Sequence, residues 1–274
     1  MKQSDLLLYE IMNYPIPKHW EYFSTEKKQD FKSDTDQKFS RDHENPLLEE
    51  YRIHIKKHQK IFQSLPWIKS IYLCNSISFN SLHPGSDIDL FIITQKKCLR
   101  RARLASAIIF FVLGLKRSKG NTNKKYCLSF YITEEAQNLY TISLENTDIY
   151  LAYRLAHLVP IYQDTIEKKT IYEQNQRLFS LLPNLPKDHH SINLGLPIYH
   201  GNTKIKTIIE KYIGGVIGHI VEYMIKTLRV PILIYKIKKL KEIGKDIIFS
   251  NTMLKFYHDK RKKISLLYRS RFTK

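Results

Sequence analysis

The sequence predicts an α+β protein: a mixed β-sheet flanked by helices, with a helical N-terminal appendage and a mainly helical C-terminal region. Three observations carry that prediction. Residues 67–74 and 86–94 are apolar, β-branched runs of strand length. Helical periodicity stands on both sides of them, in Leu48, Tyr51, Ile55 and Phe62 before and in Ile205, Ile209, Val216, Ile220 and Met224 after. A content of 43% hydrophobic and 12% aromatic residues with only 9 Gly and 10 Pro excludes a collagen-like, low-complexity or largely disordered chain. The length of 274 residues suits one substantial domain with appendages or two small ones. The expected division is an N-terminal helical segment and linker at 1–65, a core at 66–165 and a basic helical region at 166–274.

Taken in order, residues 5–23 read as two short helical pieces parted by Tyr14-Pro15-Ile16-Pro17, since proline disfavours helix in the residue before it. Residues 24–45 are polar with charges of both signs, which reads as an exposed linker. A helix runs from Pro46 to about Leu65-Pro66 and leads into the first strand, 67–74. The polar connection 75–85 has room for a short helix and a turn before the second strand, 86–94. A helix over 99–115 follows, basic at its start and ending near Gly114 or the Ser118-Lys119-Gly120 turn. Residues 125–132 form a third strand candidate. A helix after Tyr150 reaches Val159 and stops before Pro160, and the remainder reads as mainly α, with one apolar stripe kept from 205 to 228 until Pro231.

The chain carries 45 Lys+Arg against 26 Asp+Glu, a formal charge of +19 and a pI near 9.6. Residues 203–274 alone hold 18 Lys+Arg and 5 Asp+Glu, a net of +13. Such a field attracts phosphate polymers, nucleotides or anionic lipid. The bland alternative is drift toward a Lys-, Ile-, Asn- and Tyr-rich composition. Lys236 to Lys245 and Lys260 to Lys263 flank apolar and aromatic residues, as expected of a grip on RNA or another phosphate-rich acceptor or of a solvated lysine face, and Tyr212 to Tyr235, apolar on one side and followed by basic residues, also fits a membrane-surface helix. Cys74, Cys98 and Cys127 form no C-x-x-C pair, which argues against a disulfide framework or zinc knuckle. No signal-peptide pattern is visible at the start, and the longest uncharged apolar run, 104–115, falls short of the ~20 residues that span a bilayer. A cytoplasmic protein without stable membrane insertion is expected.

Asp87-Ile88-Asp89 is the sharpest signal. Residues i and i+2 of a strand point to the same face, so two carboxylates meet and repel. A hard divalent cation such as Mg²⁺, taking oxygen ligands and sharing them with substrate phosphates, is the economical compensation. Asn75-Ser76 stands upstream, directly after the first apolar strand.

Apolar strand, Asn75-Ser76, a spacer, then Gly85-Ser86-Asp87-Ile88-Asp89-Leu90 opening a second apolar strand resembles the signature of the DNA polymerase beta-like nucleotidyltransferase superfamily. The resemblance implies a nucleotidyltransferase-type mixed sheet and Mg²⁺- or Mn²⁺-dependent transfer of a nucleoside monophosphate from an NTP to a hydroxyl. It implies Asp87 and Asp89 as catalytic metal ligands, and Asn75, Ser76 and Ser86 around the nucleotide. Ser76 would bond the terminal phosphates beside backbone N–H groups of a following helix. His83 reads either as a phosphate contact or as an exposed loop residue. The chain departs from the pattern twice. Asn75 replaces a glycine whose positive φ asparagine tolerates well. The third strand, Tyr126 to Ile132, contains no acid: Ser129 stands nearest the expected position, with Glu134, Glu135 and Asp148 beyond it. Without that carboxylate the alternative is a degenerate nucleotidyltransferase that binds nucleotide or nucleic acid without turnover. The wider chain, including Asn13-Tyr14-Pro15 and residues 247–258, is similar to uncharacterised bacterial nucleotidyltransferase-domain proteins.

Overall fold

A computed structural model describes residues 45–144, 148–164, 171–182, 194–227 and 247–255. The expected N-terminal helical pieces and linker up to residue 44 lie outside them. Helix α1 spans Leu48–Ser64, buries Leu48, Tyr51, Ile55 and Phe62 on one stripe, and carries Glu49 and Glu50 in its first turn, where the helix dipole favours acids. Strand β1, Ile68–Cys74, and strand β2, Ile88–Thr94, follow. Helix α2 covers Leu99–Val112 and strand β3 covers Tyr126–Thr133. Helix α3, Ile149–Ala156, is capped by the Asp148 carboxylate on the Leu151 amide. Strand β4 is Val159–Gln163, helix α4 the short Gln176–Phe179, and strand β5 Tyr199–His200. Helix α5, Lys204–Tyr212, is parted at Ile213 and Gly214 from helix α6, residues 215–227. Strands β6, Ile248–Phe249, and β7, Met253–Lys255, close the described chain.

The strands make one mixed seven-stranded sheet in the order β5-β4-β1-β2-β3-β7-β6. β1 is antiparallel to both β2 and β4, β2 is parallel to β3, and β7 is antiparallel to β3. The α+β architecture expected from the sequence is therefore present. Most of the described secondary structure in the C-terminal region is helical, as expected, but three short strands, β5, β6 and β7, join this sheet and go unforeseen. Strand β4 also went unforeseen: Pro160 lies inside it, opposite Tyr72, where the β1–β4 register shifts between Ile71 and Tyr72. A bulge of that kind is where a strand admits a residue that cannot donate.

Both faces of the sheet are covered, which is why β1 and β2 are apolar almost throughout. Ile71, Leu73, Leu90 and Ile92 pack toward α1 and α2. Tyr72, Phe91, Ile93 and Phe130 pack toward α3 and the α4 region. Period 2 along β2 puts Asp89 on the same face as Phe91 and Ile93, so the acidic end of the strand opens on the α3 side.

Candidate functional site

The site forms where β2 begins. Ile88 is the first strand residue, so Asp87 precedes the strand and Asp89 lies within it. Asp89 pairs with Cys74 of β1 on one side and Cys127 of β3 on the other. Ligand atoms of Asp87, Asp89 and Cys127 all lie within 4.8 Å of one another. Burial foremost, and then the charge of Asp87, pushes the Asp89 carboxyl above the usual carboxylate range, against the hydrogen bond from Asn75. That donor is the Asn75 amide, Nδ2 to Oδ2 at 2.8 Å.

The third partner is a thiol rather than a carboxylate. Burial, followed by the charge of Asp89, pushes the Cys127 thiol up to about 12, so without a metal it is a neutral thiol. Its Sγ donates to the Ser129 hydroxyl at 3.2 Å, which places Ser129 behind Cys127. The two carboxylates contribute hard oxygen donors to this group. They fit a hard divalent cation that takes its other ligands from phosphate and water, and a cation there would relieve the repulsion that raises Asp89.

Two arginines flank the acids, and sequence reasoning found neither. Residues 115–117 run alongside the start of β3, the Arg117 amide donating to Tyr126 O at 3.0 Å. From there Arg117 Nη1 reaches Asp87 Oδ2 at 2.7 Å with its side chain 47% exposed. Arg154 comes from α3, is buried, and lies near enough to Cys74 and Asp89 for its charge to favour the ionised form of each. No local pattern announces either residue, because one sits in a loop and the other on a helix distant in sequence.

Asn75 adopts φ 60°, the left-handed backbone expected of a residue standing for glycine. After it the chain makes hydrogen-bonded turns over residues 75–80 rather than the short helix for which the sequence has room. Phe79, Asn80 and Ser81 donate back to Asn75, Ile77 and Ser76 carbonyls. The amides of Ser76, Ile77 and Ser78 have no acceptor among the described residues; Ile77 and Ser78 are buried and Ser76 is partly exposed. Ser86 sits differently: it is buried, and its hydroxyl accepts from the His83 amide at 3.0 Å while its carbonyl accepts from Tyr51 at 2.7 Å. It braces the loop. His83 is an exposed loop residue.

The other acids named from the sequence lie elsewhere. Glu134 follows the far end of β3, where its amide donates to Thr94 O and its carboxylate accepts from the Lys96 amide. Thr94 is five residues along β2 from Asp89, about 16 Å at strand rise. Glu135 pairs with Lys96. Asp148 is spent on capping, accepting from Leu144 and Leu151 amides at 3.0 Å each. No family model, curated protein or solved structure matches the chain.

Proposed function

We propose that the chain is a nucleotidyltransferase-type protein that binds a nucleoside triphosphate with Mg²⁺ or Mn²⁺ and moves the nucleoside monophosphate to a hydroxyl of an acceptor. The observation that supports this reading is the convergence of Asp87, Asp89 and Cys127 within 4.8 Å, beside the left-handed Asn75 turn. Asp87 and Asp89 would hold the cation. When bound, such a cation neutralises charge on phosphoryl oxygens and orients them for in-line displacement. The partly exposed Ser76 would receive the terminal phosphates, and Arg154 would hold positive charge against them from the α3 side. The basic C-terminal region suits RNA or another phosphate-rich acceptor.

A second reading keeps the binding and loses the turnover. Cys127 in place of a third carboxylate and the Arg117–Asp87 ion pair favour it. A missing general base typically costs 10²- to 10⁴-fold in rate. Calorimetry with each Mg²⁺-NTP, followed by transfer assays with α-labelled NTP and candidate acceptors, separates the two. Binding with label transfer supports the enzyme, binding alone supports the second reading, and no binding sinks both.

A further inference from the structure

Helices α5 and α6 turn three of their charged residues toward the protein, while Lys204, Lys211, His219 and Lys226 stay exposed. Lys206 is fully buried, its Nζ donating to Ile68 O at 2.7 Å and to the Tyr162 hydroxyl at 2.8 Å. Glu210 accepts from the Trp67 amide at 2.5 Å. Glu222 accepts from the Arg100 and Arg101 amides at 2.9 and 2.8 Å, capping the start of α2. Gly218 lies against the Arg101 guanidinium so closely that a Cβ there would collide with it.

Much of the apolar set faces outward, although Ile209 packs on the core. Ile208, Tyr212, Val216, Ile217, Ile220 and Tyr223 are each between 53% and 75% exposed. Isolated exposed apolar side chains are ordinary, but a run of them along two successive helices marks an interaction surface. The charge around this face has one sign: Lys204, Lys211 and Lys226 are exposed, whereas both acids of residues 204–227 are engaged inward. Tyrosine and lysine beside an apolar stripe is the composition of a helix that lies in a membrane interface. Among the described residues no helix is long and apolar enough to cross a membrane, so the mode is peripheral.

We infer that the outward face of α5 and α6 docks on an anionic lipid bilayer, Ile217, Ile220 and Tyr223 entering the headgroup–acyl boundary while Lys204, Lys211 and Lys226 meet lipid phosphates. Charge complementarity selects this occupant. With a net charge of +19, two copies of the chain repel, whereas an anionic leaflet attracts the +13 carried by residues 203–274. The inference is independent of the chemistry at Asp87 and Asp89.

The test is cosedimentation of the full chain with vesicles of phosphatidylcholine, with and without 30% phosphatidylglycerol (roughly the anionic level at which polybasic attraction acts). The expected result is binding to the anionic vesicles only, weakened at least about tenfold by Ile217→Ser with Ile220→Ser and Tyr223→Ser, and weakened by Lys204→Gln with Lys211→Gln and Lys226→Gln. Circular dichroism confirms that each variant is folded. A Met224→Trp chain gives a second reading that does not depend on removing apolar residues, since its emission shifts to the blue on anionic vesicles. Absence of vesicle binding overturns the inference, as does binding that the serine variant retains. A concentration-dependent dimer in light scattering that the serine variant abolishes, without vesicle binding, assigns the face to a second copy instead.

Discussion

Cys127 stands opposite Asp89 in the parallel register of β2 and β3. Cys74 stands opposite Asp89 on β1, so a carboxylate is held between two buried thiols. The two cysteines are two strand spacings apart, about 9.5 Å, beyond the reach of a disulfide. Asp89 therefore has uncharged neighbours within the sheet, and its compensation comes from hydrogen bonds from Asn75 and Cys127 and from the charge of Arg154.

Burial of that charge opposes folding, so Asp89→Asn stabilises the protein while removing the ligand. The folded pKa is raised, so folding disfavours the ionised carboxylate and the asparagine escapes that penalty. Urea denaturation at pH 7.5 should show a gain on the order of 0.5–2 kcal/mol, the usual range for relieving a functional strain. An unchanged or lowered midpoint contradicts this.

Under the proposed metal site, the Arg117–Asp87 ion pair would compete with a bound cation. Arg117→Met frees Asp87, and because the guanidinium is half exposed the gain is small, ~0.4–1 kcal/mol or roughly two- to fivefold in affinity. Mn²⁺ binding followed by electron paramagnetic resonance measures it. Weaker Mn²⁺ binding in the variant would show that Arg117 supports the metal rather than excluding it.

His54 and His58 on α1 set a pH limit on stability. Their rings are 4.4 Å apart, beside Tyr126, and Lys124 and Lys125 face them. Burial foremost, then the charge of His58, lowers His54 to about 4, and burial lowers His58 as well. Above the unfolded value of about 6.5 both states are neutral and nothing is lost. As pH falls from there toward 4 the unfolded chain takes up protons first, and stability declines, by about 1–2 kcal/mol for His54 after allowance for its partial exposure. Denaturation midpoints between pH 8 and 4 check this, and His54→Gln should flatten the profile.

Glu222 ties α6 to the first turn of α2. Glu222→Ala leaves two helix amides without their acceptor and should cost about 1–2 kcal/mol, with Glu222→Gln recovering part of it. Thermal unfolding of the three chains gives the order wild type, Gln, Ala. Equal stability of the alanine variant would mean that water replaces the cap at no cost.

Much of this architecture is legible in the sequence where local chemistry is unambiguous. β1 and β2 announce themselves as apolar runs with β-branched residues, β3 as a run rich in aromatics, and α1 by its stripe, whereas the left-handed Asn75 is suggested only by the family resemblance. β4 is hidden because Pro160 argues against a strand, and only the bulge opposite Tyr72 makes room for it. β6 and β7, two and three residues long, have too few positions to show a period. The apolar stripe over 205–228 correctly marks helix, yet it marks the outward face, because periodicity reports that a side is apolar and not which way it turns. Within the site, the acid pair is readable from spacing alone. Cys127 is not, since the register between β2 and β3 shifts just past Asp89 and moves the counting along β3 by one residue.

The measurement that bears most directly on the site is calorimetric titration of Mg²⁺-NTP into the wild-type chain and into Asp87→Asn with Asp89→Asn. Saturable binding to the wild type that weakens at least about tenfold in the double variant is the predicted result. No binding heat from any of the four nucleotides, or equal affinity in both chains, would contradict it.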